Sequence, residues 1–333
     1  MASERTRPFE FTATGTIYRA TGRVDGDPEW EGDLSPFGPL ALSPAAAALS
    51  YGLGVFEGLK AHRAPDGRVL LFRPRANADR LRRSAEQLLM LPFPAGRFVD
   101  AVTRLARSNQ AHLPPHGEGA LYIRPVELAA EPRLGIGPCR EFCVAMYATP
   151  VGPYFAPGVG LRLRVVRKSR APAGGSGSAK AMGNYAGCLR VVQGFRDRGY
   201  HDVLFLDARE LRHVTETSGS NVFVRLRDGR LVTPPLDDQI LAGITRDSVI
   251  RIARDLMGLA VEERPLPVDE VVEEAEELFC TGTAYTVQSV AELEHGERLV
   301  RLPGRGTARE LRELLLGIQT GVREDPFGWV VQV

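Results

Sequence analysis

The chain has 333 residues, enough for about two domains, and its 44% hydrophobic and 25% charged residues are typical of a folded globular protein. The chain has 42 basic and 41 acidic residues, so its formal net charge is +1. This balance argues against an extended basic surface for nucleic acid or acidic lipids. No uninterrupted run of 18 apolar residues occurs, so the sequence predicts no membrane-spanning helix.

The first part of the chain predicts both helices and strands. Leu81, Ala85 and Leu88 recur at helical spacing, and a second helix is expected to stop before Pro114. Segments rich in Val, Ile, Tyr and Phe predict buried strands. In chain order, the predicted elements are one or two strands near the amino terminus, an apolar strand at 70–72, helices at 76–91 and 98–112, and strands at 120–128 and 142–148.

A segment rich in proline and glycine divides the chain. Residues 150–158 contain three prolines and two glycines, which favours a linker over a helix or strand. We therefore expect a smaller domain over residues 1–149, a linker over 150–159 and a larger domain over 160–333. Beyond the linker, the predicted elements are a strand at 161–166, a helix at 184–198, strands at 202–207 and 221–232 with a hairpin at Asp228–Gly229, a helix at 245–257, a strand at 259–263, a helix at 268–275, strand and loop at 277–290, and a helix at 307–317. This order lacks the regular strand–helix alternation of a doubly wound sheet.

The cysteines and histidines offer no metal site. The cysteines, which form no C-x-x-C pair, are Cys139, Cys143, Cys188 and Cys280. His112 and His116 are four residues apart, but two prolines lie between them and prevent a shared helix face. We expect no metal, free thiols and, because no apolar signal segment opens the chain, a cytoplasmic location.

Lysine is rare in this sequence, and one lysine stands among small residues. Only Lys60, Lys168 and Lys180 occur among the 42 basic residues, and arginine cannot replace lysine where an amine must react with an aldehyde. Glycine, serine and alanine flank Lys180, so a planar group can approach its amine. The segment Gly174–Lys180 is not a phosphate loop, because Ala181 stands where Ser or Thr is needed. These residues alone leave open either a reactive amine or a solvated lysine in a flexible loop.

Other segments carry candidate ligands for a heterocycle or a phosphate. Glu216 lies among hydroxyl residues before a buried strand, where it can hold a heterocyclic N–H or remain solvated in a turn. The segment Leu241–Ser248 leads into a helix, whose first N–H groups suit a phosphate, and Cys280–Ala284 supplies further donors. Arg80 can reach a phosphate bidentately or pair with Asp79.

Taken together, these segments resemble the branched-chain aminotransferase family, which belongs to the pyridoxal-phosphate enzymes of fold type IV. The motifs occur in the family's order along most of the chain. They are Tyr51–Ala61, Phe72–Pro74 with Asn77–Leu81, Leu121–Pro125, Ser178–Tyr185, Thr215–Asn221, Thr233–Leu236, Leu241–Arg246 and Gly282–Ala284. The resemblance implies a mixed α/β (α+β) fold with a smaller amino-terminal domain and a larger carboxy-terminal domain that has a barrel-like β core.

The resemblance also implies a role for each site residue. Lys180 would bind pyridoxal 5′-phosphate covalently and move the proton between Cα and C4′. The other cofactor ligands implied are Glu216 at the pyridine nitrogen, Tyr185 at the phenolic oxygen, and Arg80, Ile244, Thr245 and Thr283 at the phosphate. The substrate ligands implied are Tyr122, Arg124, Thr283 and Ala284 for carboxylates, and Tyr51 and Phe56 for the side chain.

The activity implied is transamination of L-leucine, L-isoleucine or L-valine with 2-oxoglutarate, which gives branched 2-oxo acids and L-glutamate. The expected partners are these small molecules and further copies of the chain, as a homodimer or larger homo-oligomer, without nucleic acid or membrane. Tyr285–Gln288 stands where some animal members carry a redox C-x-x-C pair, so thiol regulation of that kind is not expected. The alternatives are a specialised aminotransferase for an unusual amino acid, a D-amino-acid aminotransferase or aminodeoxychorismate-lyase-like enzyme, and a non-catalytic protein that binds a phosphate ligand.

Overall fold

The structure, a computed structural model, describes residues 9–25, 29–156, 158–304 and 306–333. The helices are α1 (Ala47–Tyr51), α2 (Pro74–Gln87), α3 (Ala95–Ser108), α4 (Gly183–Ala186), α5 (Leu189–Arg196), α6 (Ile244–Asp255), α7 (Val268–Glu274) and α8 (Thr307–Gln319). The strands are β1 (Thr16–Arg23), β2 (Glu29–Pro36), β3 (Gly54–Phe56), β4 (Leu59–Arg63), β5 (Val69–Phe72), β6 (Ala120–Ala129), β7 (Glu141–Val151), β8 (Leu161–Val166), β9 (Asp202–Leu206), β10 (Val214–Thr217), β11 (Asn221–Leu226), β12 (Leu231–Thr233), β13 (Val261–Glu263), β14 (Ala275–Gly282), β15 (Thr286–His295), β16 (Arg298–Arg301) and β17 (Val330–Gln332). No helix in the described ranges is long and apolar enough to cross a membrane.

The chain forms two compact units, and neither is one continuous stretch. The first comprises Met1–Tyr154, Ala179–Gly183 and Gly317–Val333, and the second comprises Phe155–Ser178 and Asn184–Leu316. Pairing explains the two excursions into the first unit, because Ala181 pairs with Val55 in β3 and β17 pairs with β5. The boundary between Tyr154 and Phe155 falls within the linker predicted at 150–159, and composition alone does not show the two returns to the first unit. Residues 1–8 and 157, which fall in the predicted first domain and linker, lie outside the described residues.

An antiparallel sheet forms the first unit, in the order β17-β5-β4-β6-β7-β1-β2, with β3 also paired to β6. Helices α2 and α3 bury an apolar stripe that includes Leu81 and Phe98 in the same core cluster as Leu121 and Ile123 of β6. Because side chains alternate along a strand, the residues between those core positions, Tyr122 among them, face the other side of the sheet. This alternation places polar site candidates on one face of β6.

A closed six-stranded barrel forms the centre of the second unit. Its strands follow the order β10-β9-β8-β15-β14-β11, and a further pairing of β10 with β11 closes the ring. Strand β8 pairs in parallel with β9 and β15, and the other barrel pairs are antiparallel. Buried Val and Leu side chains, such as Leu163, Leu204 and Val222, form the core of this unit. The predicted mixed α/β class and the barrel-like core are confirmed.

The structure divides two of the predicted elements. The helix expected over 184–198 is two helices, α4 and α5, separated at Gly187 and Cys188, and glycine is a poor helix residue. The segment expected as strand and loop over 277–290 is the pair β14 and β15, joined by a turn at 283–285. Both boundaries place site candidates near element ends: Tyr185 lies in the short α4, and Thr283 and Ala284 lie in the turn between β14 and β15.

Candidate active site

Lys180 is fixed through its backbone in the first unit. The short segment Ala179–Gly183 runs antiparallel to β3, so that the N–H of Phe56 donates to the carbonyl of Lys180 at 3.1 Å. The N–H of Lys180 donates to Oγ of Ser84, on α2, at 2.9 Å. These hydrogen bonds on both sides of one residue fix its main chain.

The side chains of Lys180 and Arg124 both lie close to the ring of Phe56 in the first unit. Nζ of Lys180 is 4.6 Å from the ring centroid, and the guanidinium carbon of Arg124 is 4.9 Å from it. Arg124 also donates to the hydroxyl of Tyr122 at 3.0 Å. That hydroxyl fits closely against Gly58, where a Cβ would lie only 2.0 Å from it. Four predicted site residues, Lys180, Phe56, Tyr122 and Arg124, are therefore grouped, and the small size of Gly58 makes room for the Tyr122 hydroxyl.

Tyr51 is placed differently from the residues grouped around Phe56. It ends α1 with 42% of its surface exposed, and its hydroxyl donates to the carbonyl of Leu134. The structure does not show Tyr51 lining a cavity with Phe56, so its predicted role in binding the substrate side chain stays a prediction.

Arg80 is buried on α2 and pairs bidentately with a carboxylate. Its Nε and Nη2 donate to Glu57 at 2.6 and 2.8 Å, and the N–H of Gly58 donates to the same carboxylate at 3.0 Å. Asp79, the partner that we considered from sequence, instead pairs with Arg75 at 3.3 Å. Arg80 therefore has the orientation of a held guanidinium rather than a solvated surface one.

Glu216 lies in β10 of the second unit, buried and hydrogen-bonded. Nε of Arg170 lies 2.5 Å from its Oε1, and both side chains are only 4% exposed. The side-chain amide of Asn221 donates to its Oε2 at 3.2 Å, and the N–H of Leu241 donates to its Oε1 at 3.3 Å. Because a buried carboxylate is stable only when its charge is balanced, this environment favours the ionised form.

Helix α6 begins just after Leu241, whose backbone N–H donates to Glu216. Gly243 caps this helix without a side-chain hydrogen bond, and Ile244 and Thr245 form its first turn. The first N–H groups of a helix lack partners within the helix and carry a partial positive charge. The predicted phosphate ligands of this segment thus lie where an anion is favoured.

The turn between β14 and β15 places Thr283 and Ala284, both half-buried, at the end of the barrel. Nη1 of Arg312 donates to the carbonyls of Tyr285 and Val287 at 2.6 and 2.8 Å, which holds the turn. Burial lowers the pKa of Arg312. This turn presents backbone N–H groups on a rigid support.

Tyr185 lies in α4, where it is half-buried, and its carbonyl accepts a hydrogen bond from the Cys188 thiol at 3.2 Å. The loop Thr217–Ser220, which follows Glu216, is held by hydroxyl contacts. Oγ1 of Thr217 lies 2.6 Å from Oγ of Ser220, and Ser218 donates to Asp202 at 2.7 Å. This loop, whose composition left the side-chain preference open, is therefore ordered by its own side chains.

Several residues that hold the predicted site were not assigned from sequence: Ser84, Glu57, Arg170 and Asn221. Glu57 and Asn221 lie in the motifs Tyr51–Ala61 and Thr215–Asn221, but the motifs did not show which side chains these two residues bind. Arg170 lies ten residues before Lys180 in a stretch of Ser, Pro and Gly, and only its pairing with Glu216 distinguishes it from the other arginines. Across the described ranges, no group of three His, Cys, Asp or Glu side chains is arranged to hold a metal ion.

The family model of amino-transferase class IV matches residues 54–293 of this chain. The chain belongs to the class IV aminotransferases. This aminotransferase is 42% identical over 329 residues to branched-chain amino acid aminotransferase 1, mitochondrial, of Humulus lupulus, across 98% of this chain and 83% of that relative.

Solved structures agree with this assignment of the aminotransferase. A branched-chain aminotransferase of Thermoproteus uzoniensis with norvaline superposes with a TM-score of 0.81 and 31% identity, over 96% of this chain and 99% of that one. The T.th. branched-chain amino acid aminotransferase with pyridoxamine 5′-phosphate superposes with a TM-score of 0.79 and 30% identity, also over 96% and 99%. The resemblance drawn from the motifs is confirmed, as are its fold type and the use of pyridoxal 5′-phosphate, the cofactor of this class.

Proposed function

We propose that this aminotransferase transfers the amino group of L-leucine, L-isoleucine or L-valine to 2-oxoglutarate and forms branched 2-oxo acids and L-glutamate. The observation that carries the proposal is the 42% identity, over 98% of this chain, to a branched-chain aminotransferase, together with a lysine whose backbone is hydrogen-bonded to Ser84 and Phe56. The donor set fits pyridoxal 5′-phosphate. It offers one amine for the aldehyde, one buried carboxylate for the ring nitrogen, and an arginine and a helix start for a dianionic phosphate.

Pyridoxal 5′-phosphate, when bound, supplies an electron sink that makes the Cα–H of an amino acid acidic. Lys180 is the catalytic residue in this proposal, because its amine would anchor the cofactor and then carry the proton between Cα and C4′. The backbone hydrogen bonds of Lys180 fix its main chain and leave only the side chain to move between these tasks.

Glu216 would face the pyridine nitrogen and keep it protonated. Arg170 supports this role, because it balances the carboxylate charge in a buried setting. Tyr185 would contact the phenolic oxygen. Arg80, the N–H groups of Ile244 and Thr245, and Thr283 would hold the phosphate.

Tyr122 and Arg124 would bind substrate carboxylates, together with the N–H groups of Thr283 and Ala284. The placement of Tyr122 and Arg124 with Phe56 suits the two substrates that a transaminase must accept in turn. An aromatic wall accepts a branched aliphatic side chain, and a guanidinium stacked on that wall can bind a second carboxylate. We retain Tyr51 as a proposed contributor to the side-chain pocket.

The same proposal includes a cytoplasmic homodimer or larger homo-oligomer, and a domain division near residues 150–159. The cysteines support a reducing compartment, since Cys139, Cys143, Cys188 and Cys280 are free thiols. Size-exclusion chromatography with light scattering tests the assembly state directly.

Borohydride reduction of the cofactor-loaded protein tests the assignment of Lys180. Mass spectrometry should find the phosphopyridoxyl label on Lys180 and not on Lys60 or Lys168. Lys180→Ala should abolish turnover and label while keeping the fold, and Lys168→Ala, in a solvent-exposed position, is the matched control. Full activity in Lys180→Ala would overturn the assignment.

The substrate class is tested by a half-reaction. With excess L-leucine, L-isoleucine or L-valine, the cofactor absorbance should shift, and 2-oxoglutarate should restore it. A response to D-amino acids alone would favour a D-amino-acid aminotransferase, and no response to any amino acid would favour a binding protein.

A further inference from the structure

Asn221 stands opposite Glu216 at the point where β10 and β11 close the barrel. Directly opposed residues of an antiparallel pair project their side chains to the same face of the sheet. The side-chain amide of Asn221 is buried and donates both to Oε2 of Glu216 at 3.2 Å and to the carbonyl of Leu241 at 2.9 Å. One amide thus joins a carboxylate in the barrel to the loop that precedes α6.

The chemistry of these partners fixes the orientation of the amide. An ionised carboxylate and a carbonyl accept hydrogen bonds only, so the NH2 group of Asn221 must face them. The amide oxygen then lies against Gly243, where a Cβ would be 1.9 Å from it. Because Gly243 has a φ of −68°, which any residue adopts, its small size is required by this contact rather than by its backbone.

We propose that Asn221 is a positioning residue that couples the orientation of Glu216 to the start of α6. This proposal rests on the proposed function, in which Glu216 faces the pyridine nitrogen and the first turn of α6 binds the phosphate. Through this coupling, one side chain fixes the position of the ligand for the pyridine nitrogen relative to the ligands for the phosphate. Loss of the amide therefore weakens cofactor binding and the ring-nitrogen contact together.

Asn221→Asp is the sharpest variant, because it keeps the shape of the side chain. It replaces the donating NH2 with an oxygen that faces two acceptors, one of them negatively charged. We expect the dissociation constant for pyridoxal 5′-phosphate to rise roughly tenfold or more, since an amide lost between two buried acceptors costs about that much. Gly243→Ala is the second variant, and it displaces the same amide without touching its chemistry.

Asn109→Asp is the matched control for burying a carboxylate. Asn109 is also buried, and its amide donates to the carbonyls of Thr16 and Leu105, both at 3.1 Å, in the first unit. Its loss destabilises the fold without reaching a proposed cofactor ligand. Thermal unfolding of each cofactor-free variant measures how far the substitution destabilises the fold. A loss of cofactor binding can then be separated from a loss of stability.

Equilibrium dialysis of pyridoxal 5′-phosphate and the pH dependence of the bound-cofactor absorbance are the readouts. The proposal expects weaker binding and an altered pH dependence in Asn221→Asp and Gly243→Ala, with Asn109→Asp close to wild type in both. In a Glu216→Gln background, Asn221→Asp should have a smaller effect than in the wild type, because the part of its effect that passes through Glu216 is already lost. Wild-type binding and pH dependence in Asn221→Asp, equal losses in Asn109→Asp, or fully additive effects with Glu216→Gln would overturn it. Failure to label Lys180 in the wild-type protein would instead overturn the proposed function.

Discussion

The hydroxyl of Ser84 accepts a hydrogen bond of 2.9 Å from the backbone N–H of Lys180, and Ser84 is itself buried on α2. Arg80 stands one helical turn earlier on the same helix, so both residues lie on the same side of α2. One rigid element thus carries the guanidinium proposed for the phosphate and the group that fixes the backbone of the reactive lysine.

Ser84→Ala should lower turnover by roughly tenfold, because it leaves the Lys180 N–H without its acceptor and loosens the lysine. Ser84→Thr, which keeps the hydroxyl, should recover most of the rate. Thr103→Ala is the control, since Thr103 donates to the carbonyl of Val99 within α3. Steady-state kinetics and the pH dependence of the cofactor absorbance give the comparison, and equal effects of Ser84→Ala and Thr103→Ala would show that Ser84 is only structural.

Arg170 and Glu216 form a buried ion pair whose two members should not be separable. Arg170→Met leaves a buried carboxylate without its cation, so we expect a loss of roughly 3–5 kcal/mol in the free energy of unfolding. The double variant Arg170→Met with Glu216→Gln should regain much of that stability, because the buried charge is gone, and yet remain nearly inactive. Urea denaturation of the cofactor-free proteins measures the first effect, and kcat measures the second. A double variant no more stable than Arg170→Met would contradict the pairing.

Elements with a strong local pattern were predictable from the sequence. The helical spacing of Leu81 and Ala85 marked α2, and the apolar runs marked β6 and β7. The site residues were proposed through the resemblance that the ordered motifs carry, because each residue type taken alone left its role open. Local pattern and local chemistry are both properties of a short stretch of chain, so one sequence suffices to see them.

Features that depend on partners distant in the chain were not predictable. Strand β10 has only four residues, and it exists through pairing with β9 and β11 rather than through an apolar alternation of its own. The return of Ala179–Gly183 to the first unit depends on β3, which lies far earlier in the sequence. The contact of Arg170 with Glu216 is of the same kind, since any of the 39 arginines was an equal candidate.

Glu277 closes the start of α8 from a neighbouring strand. Its buried carboxylate accepts the N–H groups of Thr307 at 3.0 Å and of Ala308 at 3.2 Å, two of the donors that a helix cannot satisfy internally. Glu277→Ala should therefore lower the free energy of unfolding by about 1–3 kcal/mol. Hydrogen exchange should show α8 opening more readily, whereas the exposed Glu297→Ala should leave exchange in α8 unchanged. Unchanged protection of α8 in Glu277→Ala would contradict the cap.

Glu127 gives the first unit a dependence of stability on pH. The residue projects from β6 and is completely buried, and this burial raises its pKa to about 8, an effect that the backbone of Phe93 offsets only in part. Burial also raises the pKa of the Cys143 thiol, to about 11, and the charge of Glu127 adds to that shift. Cys143 is therefore a titratable group whose pKa depends on the charge of Glu127.

The sign of this dependence follows from which state holds the proton. Between the ordinary glutamate value of 4.5 and about 8, the folded protein keeps a proton that the unfolded chain has lost. The free energy of unfolding should fall as pH rises through this window, by at most about 1.4 kcal/mol per pH unit. Glu127→Leu removes the titrating group. The free energy of unfolding of the variant, relative to that of the wild type, should therefore increase from pH 5 to pH 8. Urea denaturation at several pH values tests this, with the exposed Glu118→Leu as the control. Parallel pH profiles for Glu127→Leu and the wild type would show that Glu127 does not titrate in this window.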